Sequence, residues 1–306
     1  MAQKTSDKKR VRKPGKTAIL RRTKRIKPTN LKPLPGVFSL VRDTFRHIWR
    51  HKKTFGGILL VYVLFSLVFV KTLSSNVNIT SLRDQYGDVL GLSGLVLNSA
   101  LVADVAGSGA GTEIGSLYQT IILLITALAS IWLFRQTTAS KQTVQVRDPF
   151  YRGMTPLIPF LLIAFVIGLE LLPMLGGISL FSMVQNNGLA ATTAETLVWA
   201  LLGFSLAMVT FYLLSSTIFA LIIVTLPNMR PVAALRGARK LTAFRRWLIM
   251  RKLFWVVLLT VVSFFSLLLV TVWLAPILAE WVALAMGGCV VIFMSGFGYK
   301  LYRALL

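Results

Sequence analysis

Long stretches of this chain carry no charge, and they recur along its whole length. Six apolar runs stand out, at about 55–70, 117–134, 157–175, 197–226, 253–274 and 281–301. Each comes close to or exceeds the roughly 20 residues with which a helix crosses about 30 Å of hydrocarbon. The first run is short and is expected to extend to Leu73; the fourth is long enough to tilt or project. A soluble domain of 306 residues does not combine 55% apolar with 14% charged residues. The expected fold is an all-α integral membrane protein. Six transmembrane helices form three helical hairpins, each preceded by a basic interfacial helix.

The charges between the runs set the expected orientation. Of the 34 Lys and Arg, 18 lie at or before Lys53, four between Arg135 and Arg152, and eight between Arg230 and Lys252. Lys300 and Arg303 lie at the end of the chain, and only Lys71 and Arg83 fall elsewhere. With the N-terminus inside, every other basic segment also falls inside, as the positive-inside rule requires. Segments 71–116 and 176–196 and the turn near Pro276–Glu280 then face outward. They carry Asp84, Asp88, Asp104, Glu113, Glu195 and Glu280. The expectation is a plasma-membrane protein with both termini cytoplasmic. Val89–Ala103 is apolar enough to suggest a seventh span, but a span there would carry the eight-charge segment outside. It is read as a re-entrant or interfacial helix in the outer segment.

Two units are expected, a cationic arm over 1–36 and a transmembrane domain over 37–306. The arm holds thirteen Lys and Arg between Lys4 and Lys32 against one acid, Asp7, and is interrupted by Pro14, Pro28, Pro33 and Pro35. It cannot bury enough apolar surface to fold alone, so disorder is expected. It precedes the first run by too many residues for a signal-peptide n-region, so that run is expected to stay as an anchor.

From Val37 the pattern becomes amphipathic. Val37, Val41, Phe45, Ile48 and Trp49 recur at helical spacing, with Arg42, Arg46 and Arg50 on the other side. The segments 143–160 and 231–254 repeat the arrangement ahead of the third and fifth runs. In the latter, Ala234, Ala238, Leu241, Phe244 and Leu248 make one face. The three units begin about 90–105 residues apart, a repeat of pattern more than of identity.

Few residues suggest chemistry. Asp43, His47 and His51 share one helix face at a spacing that can hold a metal, but Arg42, Arg46, Arg50, Lys52 and Lys53 surround them and repel a cation. They are read as a solvated basic face with a local Asp–His pair, and no metal or cofactor is expected. Glu170 is the one carboxylate inside an apolar run, a candidate intramembrane ion or proton site. It is placed near the outer end of its helix. Gly107–Ser116 is Gly-rich without the Lys of a phosphate loop. Asn78-Ile79-Thr80 is a glycosylation sequon on the outer side. Cys289, the single cysteine, excludes an intramolecular disulfide and is read as a small core residue. With two His, one Cys and three inner acids (Asp7, Asp43, Asp148), no catalytic triad or two-metal site can be assembled, and an enzyme is not expected.

The arm is the strongest functional feature. Lys8, Lys9, Arg10, Arg12, Lys13, Arg21, Arg22, Lys24 and Arg25, with Arg245 and Arg246 in the late basic segment, are the candidate lipid- or polyanion-binding residues. Each is worth on the order of 1 kcal/mol beside an anionic leaflet. The expected partners are anionic membrane lipids, with the ribosome or another membrane protein as alternatives, since phosphate attraction ignores sequence. No specific DNA binding is expected, and the arm lacks aromatic residues for stacking on single strands. The functional expectation is a structural, lipid-interacting or regulatory role. The alternatives are a transporter or permease subunit and a ribosome-associated insertion factor.

In the late segment Pro231, Ala234, Leu235, Leu241, Arg245, Arg246 and Trp247 resemble the basic helix of a loose bacterial multi-pass family. That family is related to the membrane domain of glycerophosphodiester phosphodiesterases. Residues 148–153 (DPFYRG) resemble that family's preceding helix. The resemblance covers 37–306 and omits the arm. It departs where Gly237 or Ala238 replaces the usual Ser, and it includes no phosphodiesterase domain. It implies a six-helix membrane module and transfers no activity. Ala233, Ala234 and Gly237 also resemble part of the coupling-helix signature of importer permeases, without its Glu or its later Leu-Pro.

Overall fold

The computed structural model describes residues 34–71, 113–139, 144–187, 192–226, 229–243, 245–274 and 276–306. Most of the arm and the segment with Val89–Ala103 lie outside the described residues. Within them the secondary structure is helical, with no strand. The helices are α1 Val37–Arg50, α2 Lys52–Phe65, α3 Glu113–Ala139, α4 Arg147–Arg152, α5 Leu157–Asn186, α6 Thr193–Val224, α7 Pro231–Thr242, α8 Arg246–Leu274 and α9 Pro276–Leu305. A π-helical turn, Ser66–Lys71, extends α2. Six of these are long and apolar enough to cross a membrane: α2 with its extension, α3, α5, α6, α8 and α9. The chain is a polytopic all-helical membrane protein.

The spans pair in sequence as α2–α3, α5–α6 and α8–α9, preceded by the short helices α1, α4 and α7. Those short helices lie at one end, the basic end. There α1 packs on α2, α8 and α9, α4 packs on α3, and α7 packs on α5 and α6. The core sits at the same end and includes Leu40, Phe55, Phe134, Phe160, Phe219, Ile249 and Phe297. Elsewhere large apolar side chains such as Leu162, Phe165, Leu201 and Phe204 are exposed. Hydrocarbon is as apolar as leucine, so nothing drives them inward.

Local chemistry fixes the helix ends. His51 breaks the helical path between α1 and α2 (φ −112°, ψ 32°). Pro231 starts α7 at a position where its missing N–H costs nothing. Thr192 caps α6 by accepting from the Glu195 N–H at 3.3 Å, with Glu195 in the first turn as in a capping box.

Several boundaries differ from expectation. α5 continues through Pro173 and Gly176-Gly177 to Asn186, so most of 176–196 is helix and not an outer loop. Its backbone meets α6 there: a Cβ on Gly177 would lie 3.2 Å from Gly203 Cα, a tight approach that a larger residue would push apart by a few tenths of an ångström. α8 starts at Arg246, seven residues before the expected Leu253, and absorbs the end of the expected interfacial helix. Helix α7 stops at Thr242, so Leu248 belongs to the span and is partly exposed, whereas Ala234 and Ala238 are fully buried. The second basic segment forms only the six-residue α4.

Candidate functional site

The basic end is the candidate site, and α1 shows how its sequence builds it. At about 100° per residue, side chains divide into three sectors. Val37, Leu40, Val41, Thr44 and Ile48 turn toward the bundle, where Leu40 and Thr44 are buried and the others pack on the core. Phe38, Phe45 and Trp49 form a second sector and are 77%, 60% and 66% exposed. Arg46, Arg50, Ser39 and Asp43 form a third, also exposed. A helix buried on one side, aromatic on the next and charged on the third is suited to a membrane–water interface beside a bundle. Phe45 and Trp49 stack with ring centroids 6.0 Å apart.

The His pair departs from the expected solvated face. His47 Nε2 lies 2.8 Å from Thr137 Oγ1, and its ring stacks on Phe134 at 5.4 Å. Burial chiefly, then Lys300, His51 and Arg50, holds its pKa down at about 4. His51, 5.1 Å away, is lowered by burial and Arg50. These are docking contacts of α1. Among the described residues no three His, Cys, Asp or Glu side chains cluster as metal ligands would.

The cations divide by job. Arg135 Nη1 donates to the Thr225 carbonyl at 2.6 Å. Lys252 is buried in α8 and its ammonium donates to the Pro35 carbonyl, fastening the start of α1. Arg246 donates to Tyr212 Oη at 2.7 Å and lies over that ring at 5.2 Å. Arg245 sits in the turn before α8, where its N–H donates to the Thr242 carbonyl at 2.9 Å. Arg230, Arg236 and Lys240, all exposed on or beside α7, surround a shallow basin of about 450 Å³ that sequence reasoning did not single out. The spacing of Arg236 and Lys240 by four was its available signal. Nine of the eleven candidate polyanion-binding cations, from Lys8 to Arg25, lie outside the described residues.

Glu170 is corrected in depth. With α5 running to Asn186, Glu170 lies near the helix middle, not its outer end. Thr217 Oγ1 of α6 donates to Glu170 Oε1 at 2.6 Å, while Oε2 is buried without a partner among the described residues. Thr217 stands seven residues from the basic end of α6, about 10 Å along the axis, and Glu170 thirteen from that of α5, about 20 Å. The pair lies inside two of the apolar spans. Thr217 gave no sequence signal, since threonines are common in spans.

Comparison of the chain with known protein families, curated proteins and solved structures finds no match.

Proposed function

We propose that this is a non-catalytic membrane module whose basic end sits in the cytoplasmic leaflet of a plasma membrane and gathers anionic lipid there. The observation that carries the reading is the three-sector α1, with Phe38, Phe45 and Trp49 exposed beside a charged face. The exposed cations of α7 support it, and so does the charge of the arm, which exceeds what orientation needs. The resemblance at Pro231–Trp247 is consistent with a module of this kind. Lipid carried through extraction in mild detergent tests it. Anionic phospholipid should be enriched over the bulk membrane, and neutralising Arg236, Arg239 and Lys240 to Gln should reduce the enrichment. Retained lipid that matches the bulk composition would refute the reading.

A transporter subunit is the second reading, supported by the buried, unpartnered Oε2 of Glu170 in mid-span. Proton- or sodium-dependent uptake into vesicles, lost in Glu170→Gln, would establish it. Uptake independent of both ions, or unchanged in the variant, would remove it.

A further inference from the structure

Beneath α1 a lateral groove of about 610 Å³ opens between the first and fifth spans. It is roofed by Phe45 and Ile48 of α1, walled by Gly56 of α2 and Leu259 of α8, and floored by Cys289 and Val290 of α9. Gly56 and Cys289 are both exposed, so the groove is open from the side, and Cys289 faces it instead of filling the core as expected. It runs from Lys52 to Leu59 along α2, about 10 Å at 1.5 Å per residue, within one leaflet.

Its chemistry is graded. Among the described residues Lys52 is the only charged one lining it; it stands at the interfacial end, with its ammonium 5.8 Å from the Trp49 ring centroid. The rest of the lining is apolar apart from Thr260, Ser263 and Cys289. At this depth the surrounding medium is acyl chain, which gains nothing from apolar contact alone. A ligand is preferred over bulk lipid only if it adds charge at the Lys52 end, where a phosphate accepts a charge-assisted hydrogen bond under low dielectric. A zwitterionic headgroup brings its own cation and gains less.

The geometry points to a binding site for one anionic phospholipid, with its phosphate on Lys52 and an acyl chain in the groove. The assignment rests on the lipid-gathering reading and narrows it to one place. Cys289 is the chain's single cysteine, so the intact protein reports on the groove without added labels. Its alkylation by a membrane-permeant maleimide is followed in vesicles of phosphatidylcholine, with and without phosphatidylglycerol.

Phosphatidylglycerol should slow alkylation several-fold. Lys52→Gln should abolish that difference, and Lys52→Arg should keep it. Gly56 has open space around its Cβ position, so Gly56→Leu should fill the groove and slow alkylation in both lipids. An identical rate in the two lipids, or protection that survives Lys52→Gln, overturns the site. Uniform protection in both lipids and in detergent also overturns it, assigning the groove to another segment of the protein. Enrichment of co-purified anionic lipid is read separately: if it persists while Cys289 ignores lipid charge, only the groove fails, and if both vanish, the general reading fails too.

Discussion

The guanidinium of Arg135 reaches the carbonyl of Thr225 at 2.6 Å, joining the last turns of the second and fourth spans. Carbonyls at a helix C-terminus lack intrahelical donors, and a cation there also meets the negative end of the helix dipole. Arg135 therefore holds two spans together as well as contributing to the one-sided charge. Arg135→Ala should lower stability by about 1.5–3 kcal/mol, the range for a hydrogen bond to a charged group. Arg135→Lys should recover part of it. Thermal unfolding in detergent, followed by loss of monodisperse protein, measures both; an unchanged midpoint for the alanine variant would contradict the assigned role.

His47 makes the docking of α1 sensitive to acid. Its pKa falls from 6.5 when free to about 4 when docked, so the docked state prefers the neutral ring. The stability this contributes is complete above about pH 6.5 and is lost as pH falls toward 4. Protonation places a charge beside Lys300, Arg50 and His51. Thermal midpoints should drop across that window and flatten in His47→Gln, which keeps a group able to bond Thr137. A wild-type profile flat between pH 7 and 4 would contradict the packing described.

Gly296 is a packing requirement of the sixth span. A Cβ there would overlap the Phe134 ring, with Cε2 only 2.6 Å away. That ring also packs on Phe55 at 4.7 Å and on His47. Gly296→Leu should destabilise by about 1–3 kcal/mol, as overpacking does, and loosen α1. Faster proteolysis around residues 37–51 reports the second effect. Unchanged proteolysis would show that Phe134 yields without moving α1.

Glu170 tests whether a polar pair is kept for stability. The Thr217 bond is worth about 0.6 kcal/mol and at most about 1.7. Keeping a carboxyl group inside an apolar span costs more than such a bond returns. Glu170→Leu should therefore stabilise the protein, whereas Thr217→Val should destabilise it. If Glu170→Leu proves less stable than wild type, the carboxyl is structural.

Most of the architecture was legible because hydrocarbon imposes a simple rule: apolar runs of sufficient length become helices. The errors came from residues that rule misreads. Gly176 and Gly177 resemble a helix end, yet Gly177 marks the helix–helix contact with Gly203. Arg246, Arg251 and Lys252 resemble the end of an interfacial helix, yet they occupy the first turns of α8, where long basic side chains reach back to the interface. The partners of Lys252 and Arg246, Pro35 and Tyr212, lie far away in sequence, beyond what periodicity can reveal. The groove under α1 was hidden for the same reason: four helices contribute to it, and its signature residue, Lys52, looked like one cation among many.

Lipid preference at the basic end tests the central claim most directly. Trp49 and Trp247 are both well exposed there, at 66% and 73%. In a variant keeping only these two tryptophans, with the other five replaced by Phe, brominated phospholipids quench fluorescence according to local occupancy. Brominated phosphatidylglycerol diluted into plain phosphatidylcholine should quench more strongly than brominated phosphatidylcholine at equal fraction, and added salt should shrink the difference. Equal quenching by the two lipids at low salt would contradict the account.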